Sequence, residues 1–486
     1  MTTPDGDDRL FEVPVTEPVE PPVQVRVDKT FRPYDPHQVF LMPPSLDDWL
    51  GEDHLARFVS ELVDEVLDLE PFLASYTEVR GHPPYDPRLM LKLLIYGYVT
   101  GVRSSRKIEK ACHDDVAFRF LAANAAPHYR SIARFRRRHL DALKGLFLQS
   151  LLLCRQAGMV RMGRVALDGS KVRANASRRK AMSYGRMNQR EADLVGEIAE
   201  ILAEAEATDT AEDERFGPGG RDDDLPGELA RRESRLAKIR RAKADLETEA
   251  AERAATKARE RAEKRGASDE ETAQASEDAA SAAVPQDKAQ RNFTDPDSRI
   301  MKTSDNSFHQ CYNAQAVVDD AHQVIVATRL NNSSADAPTF APMLNETISN
   351  CQTTPAQVLA DAGYFSESNV AAATEAGVDA LIATGRMKHG QTPPPAPRGR
   401  IPKNATVKER MARKLRTKPG KTAYARRKAI VEPVFGQIDT CQGGKQVLLR
   451  GLDNAQAEWA LLAACHNLRK LFGHHSTSGS AHLASG

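Results

Sequence analysis

The sequence predicts an α/β protein: an all-α N-terminal domain, then a sheet-containing domain interrupted by a long helical, coiled-coil-like segment. Three observations predict it. Apolar residues keep helical spacing through residues 46–156. Beyond them, short apolar runs such as Val165-Ala166-Leu167 and Val358-Leu359-Ala360 alternate with helical patterns. In between, residues 178–289 are dense in Ala, Glu, Arg and Lys and poor in large apolar side chains. A chain of 486 residues has room for two or more domains. The expected divisions are 1–45, 46–158, 159–177 with 290–472, 178–289 and 473–486.

Residues 1–45 hold Pro14, Pro18, Pro21 and Pro22 among many acids and read as a disordered or extended lead-in. Phe31, Tyr34, Phe40 and Leu41 are its means of docking onto the body. Ser45 is placed to cap a helix opening at Leu46, and Leu55, Phe58, Val59, Leu62, Val63 and Val66 continue the spacing. A second helix starts at Pro87 behind Asp86. Short helices follow over 104–112 and 115–121, and a long one opens at Ser131. Its apolar stripe is Leu140, Leu143, Leu146, Phe147, Leu151 and Leu152. Short helices leading into a basic one are compatible with a helix-turn-helix DNA reader whose reading face is Arg130, Arg134, Arg137 and Arg138. A solvated basic face on a helix bundle is equally compatible.

In the insertion, Leu194, Ile198, Ile201 and Leu202 mark one amphipathic helix, and Leu229, Leu236, Ile239 and Leu246 another near heptad spacing. A loop is expected over 208–225 and a flexible Ala/Glu/Ser stretch over 266–288. The runs 312–319 and 323–330 form a hairpin around Asp320-Ala321-His322. A helix over 338–350, the Asp361 strand, a helix over 366–376 and a strand over 379–384 follow. After a Pro-rich stretch at 393–397 the chain turns basic. It is helical again from Ala429 to Phe472, with Trp459, Leu461, Leu462, Cys465, Leu468 and Leu471 facing the core, and the tail from His474 reads as disordered.

Net charge is only +1, yet residues 130–180 hold 14 Lys and Arg against 2 acids, and residues 398–430 hold 13 against 1. Charge segregated in this way makes local fields that the total conceals. None of the six cysteines sits in a Cys-x-x-Cys pair, so the spacing supports neither a zinc site nor a disulfide framework. No leader peptide or 18-residue apolar run occurs, so a cytoplasmic protein is expected. His309, His322 and His466 are scattered and read as surface or core residues, His466 in a local structural hydrogen bond.

Three acids stand in apolar surroundings. Asp168 ends a short apolar strand before Gly169-Ser170-Lys171, Asp361 ends another before Ala362-Gly363-Tyr364, and Glu432 lies in Ile430-Val431-Glu432-Pro433-Val434-Phe435. Charge in such places is costly unless paired or metal-bound, so three of them suggest a shared cation. Each alone has a plainer reading: a turn or cap for the aspartates, a first helical turn for Glu432.

Together these segments resemble the three acidic motifs of bacterial insertion-sequence DDE transposases, in the large subgroup with a helical N-terminal domain and an insertion after the first aspartate. Tyr85-Asp86-Pro87 through Arg138, Asp297-Ser298-Arg299-Ile300-Met301-Lys302, Asn313-Ala314-Gln315, Leu449-Arg450-Gly451, Glu458-Trp459-Ala460 and His466-Asn467-Leu468 extend the resemblance over residues 30–472. It implies a ribonuclease-H-like catalytic core, with Asp168, Asp361 and Glu432 as catalytic residues holding two Mg²⁺ or Mn²⁺ ions. Asp168 would bridge both ions, and Asp361 and Glu432 would each ligate one. Such transposases often carry a lysine seven residues beyond the glutamate; here Asp439 stands there, with Lys445 as a substitute cation. Tyr424, Arg427 and Lys428 lie upstream, Tyr424 one residue further than usual. Lys171, Arg413, Lys414, Arg427, Lys428 and Lys445 are the expected phosphate contacts beside the helical reading face. The implied function is binding of terminal inverted repeats with metal-dependent strand cleavage and transfer, by a homo-oligomer acting on end and target DNA. A non-catalytic DNA-binding protein derived from a transposase and a stand-alone nuclease remain alternatives.

Overall fold

The structure, a computed structural model, describes residues 45–76, 83–216, 227–385, 395 and 398–483. The expectations for the lead-in up to residue 44, for most of the Pro-rich stretch and for residues 217–225 of the insertion loop lie outside the described residues.

Helix α1 (Leu55–Glu61) opens where His54 Nδ1 accepts from Ala56 N at 3.1 Å, and it runs into a π turn at Leu62–Val66. The expected helix at Leu46 is only a 3₁₀ turn, Asp47–Trp49. After α2 (Glu70–Leu73), α3 (Pro87–Thr100) begins with Pro87 and with the Asp86 carboxylate accepting from Arg88 N at 2.7 Å. It ends on Gly101 at φ +84°, a left-handed cap that suits glycine. Helices α4 (Ser105–Asp114) and α5 (Val116–Leu121) follow as expected. The single long helix expected from Ser131 is two, α6 (Tyr129–Arg138) and α7 (Leu140–Gln156). The break falls at His139, whose ring is buried against Phe72, Tyr76 and Phe135 with centroids 5.5, 5.6 and 4.5 Å away. Leu152, expected in the apolar stripe, is half exposed.

Strand β1 (Arg164–Arg173) does not stop at Asp168. It pairs antiparallel with β5 along its whole length, from Val165↔Asp319 to Arg173↔Cys311, and that ladder carries it five residues further. Next come β2 (Ala181–Ser183), α8 (Tyr184–Phe216), α9 (Gly227–Arg265), α10 (Asp269–Ser281) and β3 (Gln290–Asn292). Leu194 on α8 packs with Leu236, Ile239 and Leu246 on α9, all from the two apolar sets that mark these helices in the sequence. The stretch expected to be flexible is largely α10, whose start is a reciprocal Ser268–Glu271 capping box.

Strands β4 (Arg299–Lys302), β5 (Phe308–Asp319) and β6 (Ile325–Asn331) lead to α11 (Phe340–Cys351), β7 (Gln357–Ala360), α12 (Glu367–Glu375) and β8 (Asp379–Ile382). The basic segment beyond is helical, as α13 (Val407–Arg416) and α14 (Lys418–Thr440). The last helix, α15 (Leu452–Leu483), continues through the segment expected to be a disordered tail.

The main sheet is mixed. Its path is β4-β5-β1-β7-β8, with β6 also on β5; β1, β7 and β8 are mutually parallel and β5 is antiparallel to its neighbours. One face packs on the N-terminal helices, α14 and α15 through Ala166, Tyr312, Ala314, Ala316, Val431 and Trp459. The other packs on α11 and α12 through Val165, Leu167, Val317, Phe340, Val358 and Tyr364. A buried ionic network joins the N-terminal helices to α15. Glu458 accepts from Arg103 Nη1 and Tyr98 Oη, both at 3.1 Å, and Arg136 Nη1 donates to Tyr98 Oη at 3.1 Å. His466 is buried, its Nε2 3.0 Å from the Gln323 carbonyl, in the structural role expected of it. Among the described residues no helix is long and apolar enough to cross a membrane.

Candidate active site at the end of two parallel strands

The last rung between β1 and β7 is Leu167↔Ala360, and the next residue of each strand is an acid. Parallel pairing therefore places Asp168 and Asp361 side by side. Asp168 Oδ1 accepts from Gly169 N at 2.9 Å, and Oδ2 accepts from Arg427 Nη1 of α14 at 2.6 Å. Burial raises the Asp168 carboxyl above its ordinary range; Arg427 opposes the rise and the charge of Asp361 adds to it. Arg427 is itself held firmly protonated by Asp168 despite its burial, and its Nε has no hydrogen-bond partner. Tyr424, one helical turn earlier, completes this pocket; burial raises its hydroxyl and Arg427 opposes the rise.

Asp361 caps the 3₁₀ turn Ala362–Tyr364, its Oδ1 accepting from Gly363 N at 2.8 Å. Tyr364 anchors that turn in the core, where its hydroxyl donates to Gln315 Oε1.

Glu432 does not join the pair. Its side chain is 59% exposed and pairs with Lys428 at 3.8 Å on the same helix. On an ideal α-helix it stands about 140° round from Arg427. The sheet-facing side of α14 carries Ile430, Val431, Val434 and Ile438 instead. Pro433, inside α14, cannot donate to the Ala429 carbonyl, which accepts from Gln323 Nε2 at 3.0 Å.

Among the described residues no group of three or more His, Cys, Asp or Glu side chains is arranged to hold a metal. The Asp168–Asp361 pair nonetheless fits a hard divalent cation. It offers carboxylate oxygens only, and their mutual repulsion is relieved by positive charge. Magnesium is commonly held by one or two carboxylates, with substrate phosphates and water completing its shell.

The residues expected to contact DNA divide into two sets. Arg130, Arg134, Arg137 and Arg138 on α6 are exposed; Arg130 lies over the Tyr129 ring at 5.9 Å with Arg106 at 4.9 Å, and Arg138 donates to the Ser75 carbonyl. Arg136, on the same helix, is buried and structural. The others are tied to the protein: Lys171 to Asp336 at 3.3 Å, Lys414 to Asp379, Arg413 to the Gly399 carbonyl, Arg427 to Asp168 and Lys428 to Glu432. Lys445 stands near Asp439, offsetting part of the rise that burial imposes on that carboxyl. Asp336, Asn313, Gln315 and Tyr364 were not singled out as site residues by sequence. The signals there were the Asn313-Ala314-Gln315 and Asp361–Tyr364 segments, which carry the resemblance, and Asp336 itself, the only charged residue between Arg329 and Glu346.

Residues 44–138 match the family model described as "Transposase domain (DUF772)", and residues 278–468 match the one described as "Transposase DDE domain". The second match contains Asp361 and Glu432 and begins beyond Asp168. No curated protein and no solved structure matches the chain.

Proposed function

Because the chain belongs to the insertion-sequence DDE transposases, we propose that it binds the terminal inverted repeats of its element and catalyses metal-dependent strand cleavage and strand transfer. The observation that carries this reading is the placement of Asp168 and Asp361 as adjacent successors of one parallel rung. The strand order β6-β5-β1-β7-β8, antiparallel and then parallel, supports a ribonuclease-H-like core.

Asp168 and Asp361 would hold the cations, Mg²⁺ or Mn²⁺. Bound there, such ions activate an incoming oxygen and stabilise a leaving one at a phosphodiester. Arg427 opposes the rise that burial imposes on the Asp168 carboxyl and so favours the ionised form that a cation needs. Glu432 is the proposed third ligand, recruited from its exposed position on α14 when DNA binds. Lys171, Arg413, Lys414, Arg427, Lys428 and Lys445 contact phosphate in this reading by exchanging protein partners for DNA. The N-terminal helices, with Arg130, Arg134, Arg137 and Arg138, read the ends, and two or more copies of the chain bring paired ends together.

The test is a joining assay with labelled end DNA, a plasmid target and Mg²⁺. Wild type yields joined product; Asp168→Asn yields none and still shifts end DNA on a gel. Joined product from Asp168→Asn overturns the assignment. The exposed Glu432 favours one rival, a protein that binds ends without cutting them; binding with no cleavage by the wild type would establish it. Cutting without joining would identify a nuclease.

A further inference from the structure

We propose that Asp336 is a positioning residue of the site: it anchors the turn that aims Asp361, and its loss weakens divalent-cation binding at the Asp168–Asp361 pair. The inference rests on the metal-dependent reading above.

Asp336 lies between β6 and α11, in a polar loop with no apolar reason to be fixed. Its Oδ1 nonetheless accepts from three side chains: Asn313 Nδ2 at 2.8 Å, Gln315 Nε2 at 3.1 Å and Lys171 Nζ at 3.3 Å. Asn313 and Gln315 are fully buried on β5, and Lys171 comes from β1, three residues after Asp168. The carboxylate therefore clamps the two central strands beside the first catalytic acid.

The clamp continues to the second acid. Gln315 turns its amide nitrogen to Asp336 and its oxygen to the Tyr364 hydroxyl. Tyr364 ends the very turn that Asp361 caps. A second route runs in parallel, since Asn369 Nδ2 donates to the carbonyls of Ala337 and Tyr364, both at 2.8 Å. Gly363 records how closely the parts approach. A Cβ on it would stand 2.9 Å from Asp336 Oδ2 and 3.1 Å from Asp361 Oδ1, so those two oxygens are no more than 6.0 Å apart. The absence of a side chain at 363 is what lets Asp336 sit against the Asp361 turn.

A carboxylate that orients a ligand through buried hydrogen bonds is the usual outer partner of a metal site, and removing one typically costs about 10–100-fold in metal affinity. Lys171 is held by Asp336 and not by Asp168, which leaves Arg427 as the cation paired with Asp168.

The experiment is titration of the full chain with Mn²⁺, free ion measured by electron paramagnetic resonance, for wild type, Asp168→Asn, Asp336→Asn and Tyr364→Phe. Tyr364→Phe leaves every charge in place and cuts only the link to Gln315. The expected result is wild-type uptake, loss of it in Asp168→Asn, and a Kd raised about tenfold or more in both other variants. Thermal melts of the same samples separate a structural role: lowered melting with an unchanged Kd overturns the proposal. Wild-type Kd in Tyr364→Phe also overturns it, even where Asp336→Asn fails to fold, and leaves the metal reading standing. Uptake that survives in Asp168→Asn, or none by wild type, overturns the reading beneath and the proposal with it.

Discussion

Glu458→Gln replaces one atom in the interior and is expected to destabilise the protein severely. Glu458 is 2% exposed, and its carboxylate is surrounded by donors. Oε1 accepts from Arg103 and Tyr98, and Oε2 from Leu448 N at 2.7 Å and Leu449 N at 2.9 Å. Glutamine keeps one acceptor oxygen and turns an NH₂ towards the other pair of donors. It also removes the negative charge facing two buried guanidinium groups, Arg103 and Arg136. Breaking a buried pair by removing one partner costs about 3–5 kcal/mol, against a total stability of about 5–15 kcal/mol. With a urea slope near 3 kcal/mol per molar, the unfolding midpoint should fall by about 1 M or more. Arg103 also donates to the carbonyls of Gly443 and Gln446, the loop that hydrogen-bonds Arg173 at the end of β1. The destabilisation should therefore be seen together by far-ultraviolet circular dichroism and by Trp459 fluorescence. A fall below about 0.3 M for Glu458→Gln, or two probes that unfold separately, would refute the reasoning.

Three further outcomes are expected. Burial holds His466 down to about 4 from an ordinary value of 6.5, so the unfolded chain takes up its proton first as pH falls. This group's stabilisation is complete above pH 6.5 and shrinks by about 3 kcal/mol on the way to pH 4; in urea titrations across that range His466→Gln should flatten the acid limb. Replacing Arg130, Arg134 and Arg137 together by Gln should weaken end binding and reduce the slope of log K against log salt by up to about 0.9 for each phosphate no longer neutralised, measured by fluorescence anisotropy. Gly101→Ala puts a Cβ 2.8 Å from the Cys441 carbonyl at φ +84°, and should lower the melting midpoint by the equivalent of about 1 kcal/mol or more.

The order of helices, the hairpin and the two aspartate strands were legible because each rests on local patterning: helical spacing, β-rich runs, and acids that follow apolar strands. That Asp168 and Asp361 meet follows from pairing two such runs in parallel. Glu432 was harder, since its neighbours Val431 and Val434 are buried while it points outward, and sequence reports an apolar context without saying which side of the helix faces the sheet. The break at His139 was hidden because it depends on a pocket made by Phe72 and Tyr76, distant in the chain. Asp336 was hidden because a polar loop reads as solvent-facing, and the three donors that fix it come from β1 and β5. The Ser268–Glu271 capping box, by contrast, was there to be read. Ser-x-x-Glu before a helix-forming run is a start signal, outweighed here by an Ala/Glu/Ser composition that suggested disorder.

The two ends of the 184–289 arm leave the body as a narrow ribbon, Ala181↔Asn292 to Ser183↔Gln290. Beyond Ser183 the described part of the arm packs on itself through Tyr184, Met187, Leu194, Leu236, Ile239 and Leu246. It also touches the main sheet where Glu249 of α9 pairs with Arg299 of β4, yet none of its residues belongs to the main-sheet ladders. Joining Ser183 to Gln290 by a short turn should leave the body foldable, and a longer arm grafted at the same point would cost little, since loop-closure entropy grows only slowly with length. Reach can thus change in a single step while the acids keep their places.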